Sequence, residues 1–222
     1  AIGNSDILLV GDLAVAIGHP LTLGAAPTVT TGIVSALERR LDVGGQDMNS
    51  AVTLFGLIQT DAPITRGSSG GALLNQKGEL IGITTAIATA DVGAEGLGFA
   101  VPINLALNIS KDLVDDGKVY HSFLGILGAQ HFEVAEDGAR IFSGVEIQEL
   151  YGPANDIYAI GKAGALPGDI IKKVNGKNIK TLDGLISFLR SKKAGDEISI
   201  EIIRNGQVIT LEFLLDLRPS DV

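Results

Sequence analysis

The sequence predicts a mostly β chain organised as two domains. Three observations carry this. The first hundred residues break into six short apolar, β-branched runs separated by Gly-, Pro- and Asn-containing turns. The period then changes to that of a helix over Pro102 to Asp116, stopped by Gly117. Beyond it, a second strand-rich block carries two Asn-Gly turns and one well-capped helix.

In chain order, Leu8 to Pro20 alternates loosely and ends in Gly-x-Pro, a strand entering a loop. Leu21 to Pro27 reads as loop, and Thr28 to Leu37, rich in Val, Thr and Ile, as a strand. Glu38 to Asn49 carries charges, Gly44-Gly45 and no period, so a loop is expected there. Strands follow at Ala51 to Ile58, Ala72 to Leu74 and Leu80 to Ala88, the last two joined by an Asn75-x-x-Gly78 turn. Ala90 to Gly96 is a further loop and Leu97 to Val101 a short strand. Six strands without a helix between them predict one antiparallel β-barrel closed on itself. Ile103, Ala106, Leu107, Ser110, Leu113 and Val114 then share a helix face.

The domain boundary is placed at Gly117 to His121, giving domains 1–118 and 119–222. In the second, strands are expected at Phe123 to Gly128, Gly144 to Leu150, Asp169 to Val174, Glu197 to Arg204 and Val208 to Leu215. Asn175-Gly176 and Asn205-Gly206 signal tight turns. Thr181 is the N-cap of a helix with Leu182, Leu185, Ile186 and Leu189 on one face; Lys192-Lys193 are expected in its last turn, with Gly195 after it.

Composition narrows the function classes. The 222 residues are 45% apolar, enough for a real core, and carry a net charge of −9. No basic cluster is present, so nucleic acid is a poor partner. The absence of cysteine rules out disulfides, thiolate catalysis and Cys-based zinc sites. No cofactor or metal is expected. No apolar run approaches the roughly 20 residues of a membrane-spanning helix.

The chemistry concentrates in Gln59-Thr60-Asp61-Ala62-Pro63-Ile64-Thr65-Arg66-Gly67-Ser68-Ser69-Gly70-Gly71, which lies between two strand-like runs. A serine hydroxyl is a poor nucleophile without a base and an anion-stabilising loop. Successive amides from Gly67, Ser68 and Ser69 could line an oxyanion hole, with Ser69 as the nucleophile. Gly67-x-Ser69-x-Gly71 also fits the nucleophile elbow of α/β-hydrolases, but that elbow needs a helix after the serine. Here a strand, a turn and a strand follow. A glycine-rich hairpin without chemistry is the bland alternative.

With its flanks, Asn75-x-x-Gly78-x-Leu80-Ile81-Gly82-Ile83 included, the stretch resembles the nucleophile segment of the HtrA/Deg serine proteases, chymotrypsin-like double β-barrels followed by PDZ domains. Val10-Gly11-Asp12 through Ala16-Ile17-Gly18-x-Pro20, Val29-Thr30-x-Gly32-Ile33-Val34-Ser35-Ala36 and Gly96-Leu97-Gly98-Phe99-Ala100-Val101-Pro102 resemble further family segments in the family's order. His19 and Ser68 stand where the family usually has Asn. Gly161-Lys162-Ala163-Gly164-Ala165-Leu166-x-Gly168-Asp169-Ile170-Ile171 and Val174-Asn175-Gly176 resemble bacterial PDZ domains.

The resemblance implies that residues 1–118 form the second barrel of a trypsin-like protease. The triad His and Asp would then belong to a first barrel upstream of Ala1, and the chain would be a fragment of a longer precursor. His19, His121 and His131, the only histidines, sit where the family has no base. Ile64, Ile87 and Leu97 match the family's first specificity pocket, all aliphatic, and Thr85-Ala86-Ile87 the strand that pairs with substrate. Glu38 to Asn49 falls where the family has a regulatory loop. Phe123-Leu124-Gly125-Ile126 matches the PDZ carboxylate-binding loop, with Leu185 and Leu189 beside it. Gly96-Leu97-Gly98-Phe99 spells the same loop but precedes the helix, so it is rejected.

The implied function is ATP-independent endoproteolysis of unfolded polypeptides in the periplasm or cell envelope, or as a secreted enzyme, with peptide C-termini captured by the PDZ domain. A homotrimer is implied only for the full-length parent. The rival reading is a non-catalytic pseudoprotease or PDZ scaffold; an inert fragment is a third. Tyr151 to Gly161 is longer and less regular than the family pattern leads one to expect, and the sequence offers no role for it.

Overall fold

In the computed structural model, residues 1–19, 26–43, 52–65, 67–87, 97–152 and 158–219 are described. The chain divides into two compact units, Ala1–Gly117 and Lys118–Val222.

The first unit begins with a short 3-10 helix, Ser5–Ile7, N-capped by the Asn4 side chain. Six strands follow: β1 (Leu13–Gly18), β2 (Thr28–Val43), β3 (Val52–Thr60), β4 (Ala72–Leu74), β5 (Leu80–Ile87) and β6 (Gly98–Pro102). All pairs are antiparallel and run β1-β2-β3-β6-β5-β4, with β4 returning to β1. A six-stranded barrel has a narrow interior, and small side chains fill it: Ala14, Ala16 and Ala100 lie beside Val34, Ile58, Leu73 and Ile81. Each fully buried aliphatic side chain contributes about 1.5–3 kcal/mol. Helix α1 (Ile103–Asp116) follows and ends at Gly117, whose φ of 70° is left-handed and whose amide bonds back to the Leu113 carbonyl.

The loop expected from Glu38 is, as far as Val43, a continuation of β2. The β2–β3 ladder runs out to Val43↔Val52. It shifts register between Ala36 and Arg39, where Glu38 takes a φ of 57°. This bulge reconciles a charged run with a strand, because Arg39 and Arg40 stay exposed. Local pairings support it: Arg39 donates to Gln59 at 2.9 Å, and Arg40 pairs with Asp42 at 3.3 Å. Thr53 hydrogen-bonds Asp42, and that bond, ahead of Arg40, holds the exposed carboxyl below its ordinary range. Residues 44–50 lie outside the described residues, as do 20–25 and 88–96, which include most of the other expected loops.

The second unit contains β7 (Ser122–Phe123), β8 (Ile126–Val134), β9 (Arg140–Leu150), the short helix α2 (Ala159–Lys162), β10 (Ile170–Val174), β11 (Lys177–Asn178), helix α3 (Leu182–Arg190), β12 (Glu197–Arg204), β13 (Gln207–Leu214) and β14 (Asp216–Leu217). The main sheet runs β13-β12-β10-β9-β8, with β11 on β10; β14 pairs with β7. Alternate β-branched residues point inward: Val145, Ile147, Ile171, Val174, Ile198, Ile200 and Ile202 are essentially inaccessible. Asn175 and Asn205 have φ of 46° and 51°, and each following glycine is also left-handed, the type I′ geometry that Asn-Gly predicts.

Two expectations for this unit change. The strand expected over Phe123 to Gly128 is split: Phe123 pairs with Asp216, and only from Ile126 does the chain join β9. Helix α3 stops at Arg190 with Ser191 as its cap, because the Ser191 and Lys192 amides fold back onto the Phe188 and Leu189 carbonyls. Lys192 and Lys193 therefore lie beyond it.

Candidate active site and peptide-binding edge

The Ser69 loop spans β3 and β4 and is shaped by glycine. Gly67 and Gly70 have φ of 93° and 85°, a region side chains rarely adopt. The loop is stitched to β5 by Gly70 N to Thr84 O at 2.7 Å and Thr84 N to Gly71 O at 3.0 Å. The Thr84 hydroxyl, fully buried, donates to the Ser68 carbonyl. From the other side β1 presses close: a Cβ on Gly18 would stand 2.7 Å from the Ser68 Cβ, and one on Gly71 would stand 2.3 Å from the Ile17 carbonyl.

Ser69 is exposed at the loop's tip. Its hydroxyl donates to the Thr85 carbonyl at 2.9 Å, so it bonds to a backbone oxygen and not to an imidazole. Thr85 is the extra residue of a bulge, since the β5–β6 register shifts between Thr84 and Ala86. His19 is exposed just after β1. His121 and His131 belong to the second unit.

Of the three amides expected to form an oxyanion hole, those of Gly67, Ser68 and Ser69, one is engaged within the loop. The Ser68 amide is donated to the Thr65 carbonyl at 3.0 Å, which closes a turn within the loop. Among the described residues, no acceptor takes the Gly67 or Ser69 amide. This leaves the Gly67 and Ser69 amides as the candidate oxyanion donors.

Ile64 is 7% exposed and packs on β6: a Cβ on Gly98 would meet its Cδ1 at 2.6 Å. Leu97, half-buried, immediately precedes Gly98. Ala86 and Ile87 lie in β5 opposite Phe99 and Gly98. Ile64, Leu97 and the Thr85–Ile87 strand thus converge on one end of β6. Sequence reasoning missed Gly98, whose lack of a side chain makes the room Ile64 occupies. It also missed Asp61, whose carboxylate accepts the Ile33 amide at 2.7 Å and ties the loop's approach to β2.

In the second unit β8 is the sheet's outer strand. Leu124 is buried, and Gly125 turns with φ 76°. The Gly125 carbonyl accepts the Tyr151 amide at 2.8 Å, while the Leu124 and Gly125 amides have no acceptor among the described residues. Of the two helix residues expected beside this loop, Leu189 is half-buried and Leu185, 2% exposed, is part of the core beneath α3. Leu182, not singled out, reaches β8 instead: a Cβ on Gly128 would stand 3.4 Å from its Cδ1. Gln130 joins the two elements, its Oε1 accepting the Leu182 amide at 3.0 Å and its Nε2 donating to the Lys180 carbonyl at 2.9 Å.

Each unit matches a known domain family. Residues 1–83 match the trypsin-like peptidase domain and residues 125–215 the PDZ domain. The chain is 41% identical over 225 residues to the periplasmic pH-dependent serine endoprotease DegQ of Escherichia coli, covering 99% of this chain and 46% of the relative. It is 40% identical to the periplasmic serine endoprotease DegP of Salmonella typhimurium, covering 99% and 43%. The chain thus spans about half the length of the curated relatives it matches. Among solved structures, the HtrA-type protease AlgW with tripeptide superposes with a TM-score of 0.64 at 34% identity, covering 99% of this chain and 69% of that one.

Proposed function

The chain belongs to the HtrA-type serine proteases, and on that premise we propose that it carries the nucleophile half of an ATP-independent, periplasmic endopeptidase for unfolded polypeptides, joined to a PDZ domain that captures peptide C-termini. One observation carries the reading. Ser69 stands exposed between two left-handed glycines, beside two amides with no acceptor among the described residues.

In the reaction proposed, a substrate strand pairs with Thr85–Ile87 and its apolar side chain enters against Ile64 and Leu97. Backbone pairing is indifferent to side chains, which suits unfolded protein as substrate. The Ser69 Oγ attacks the scissile carbonyl carbon, and its proton passes to a histidine base. The carbonyl oxygen becomes an oxyanion between the Gly67 and Ser69 amides. Collapse of the tetrahedral adduct breaks the C–N bond, and the base returns the proton to the leaving amine. Water, activated by the same base, then frees the acyl group. The base and its orienting carboxylate would come from outside this chain, from a first barrel packed against residues 1–118. Alone, the 222 residues should be inactive, since losing the triad histidine costs about 10⁶ in rate.

A pseudoprotease is the second reading, favoured by the Ser69 hydroxyl's bond to Thr85 in place of a histidine. A fluorophosphonate probe and a casein assay on the full-length protein separate the two. The enzyme reading expects label and cleavage, both abolished by Ser69→Ala, and neither in the 222-residue chain. An unlabelled, inactive full-length protein with an accessible Ser69 would leave the pseudoprotease.

A further inference from the structure

Within the Tyr151 to Gly161 segment, irregular in sequence, Tyr151 and Tyr158 both contact the Phe123–Ile126 turn. Phe123 meets Tyr158 edge-on with ring centroids 4.9 Å apart, and Tyr151 likewise at 5.9 Å. Tyr158 also lies directly over Gly125: a Cβ there would stand 2.4 Å from the Tyr158 Cβ and 2.7 Å from its Cγ. The Tyr151 amide holds the Gly125 carbonyl at 2.8 Å. Asp216, opposite Phe123 in the β7–β14 pair, accepts the Ala159 amide at 2.7 Å and so fixes the start of α2 just after Tyr158. The turn is gripped by ring, carbonyl and strand together.

The grip has a directional consequence. In a trans peptide the carbonyl and the next N–H point in opposite directions. With the Gly125 carbonyl held toward β9, the Ile126 N–H must point off the other side of β8, the outer edge of the sheet. We infer that Tyr158, assisted by Tyr151, is a positioning residue that holds the Phe123–Ile126 turn with its amides presented to a peptide carboxylate at the β8 edge. This role of Tyr158 and Tyr151, which the sequence did not suggest, rests on the peptide-binding reading above.

The test uses the 222-residue chain with an apolar peptide ending in a free or an amidated carboxyl. Tyr158→Ala should lose affinity for the free acid by about tenfold or more, the worth of one charge-assisted hydrogen bond. The amidated peptide, which lacks that bond, should change little, so the free-to-amide ratio falls toward one. Tyr158→Phe keeps the ring and should bind like wild type. A ligand-independent readout runs beside it: the Tyr151 amide should exchange about tenfold faster in Tyr158→Ala, with Ile200 and Leu211 amides protected as before. Should Tyr158→Ala not fold, Tyr158→Leu takes its place, with the same two changes expected. An undiminished ratio, or an unchanged Tyr151 amide, overturns the inference. If the wild-type chain itself fails to distinguish acid from amide, the carboxylate reading falls, and the Tyr151 exchange still decides whether Tyr158 shapes the turn.

Discussion

The Ser69 hydroxyl and the Thr85 carbonyl are hydrogen-bonded at 2.9 Å, linking the proposed nucleophile to the strand expected to receive substrate. Attack requires that bond to be exchanged for one to a base. The loop backbone need not move for this, because Gly70 and Gly71 are independently tied to Thr84.

The close approach of β1 to this loop makes Gly18 a sensitive position. A methyl group there meets the Ser68 Cβ at 2.7 Å and its Cα at 2.9 Å. Gly18→Ala in the full-length protein should displace the Gly67 and Ser69 amides, the proposed oxyanion donors, and cut kcat/KM on casein by about 10² or more, the effect of losing one oxyanion donor. Peptide binding by the second unit should persist. Undiminished cleavage would mean the Gly67–Ser69 amides are not the oxyanion donors.

Gly98 leaves room for Ile64, and Gly98→Ala would push the Ile64 side chain from its place. If Ile64 lines the first specificity pocket, the cleavage products of an unfolded protein should shift toward cuts after Ala and away from cuts after Val or Leu. Mass spectrometry of the termini measures this. An unaltered pattern would place Ile64 in the core alone.

Gln130 supplies the acceptor for the Leu182 amide, one of the α3 first-turn donors that no helical carbonyl can reach; Thr181 serves the Gly184 amide. Gln130→Met keeps length but leaves that amide unpaired. A stability loss of about 1–3 kcal/mol is expected in chemical denaturation of the second unit, with faster exchange at Leu182 and unchanged exchange at Ile200.

Asp169 is 1% exposed and accepts both Arg204 donors at 2.6 Å, together with the Leu166 amide at 2.8 Å. The paired carboxylate holds the Arg204 guanidinium above its ordinary range. Asp169→Asn breaks a buried pair from one side and should lower the melting temperature of the second unit by about 10 °C or more. Arg204→Lys, which keeps a charge but not the fork, should fall between.

The sequence by itself determined whatever is written in local dihedral preference and periodicity. The Asn175-Gly176 and Asn205-Gly206 turns, the Thr181 and Gly117 caps, the six strand-forming runs of the first unit and the glycine-framed Ser69 loop were legible because each depends on residues a few positions apart. Only the tertiary structure decided what depends on register and on contact between distant residues. Glu38 to Val43 carries a loop's charges yet is a strand, because the β3 ladder reaches it across a bulge. The Ser68 amide is withdrawn by Thr65, and Leu185 is absorbed by the core while Leu182 reaches Gly128. Tyr158 closes on Gly125 from 33 positions away. Nothing in either residue's neighbourhood foretells that contact, since the energy that selects it comes from packing the whole unit.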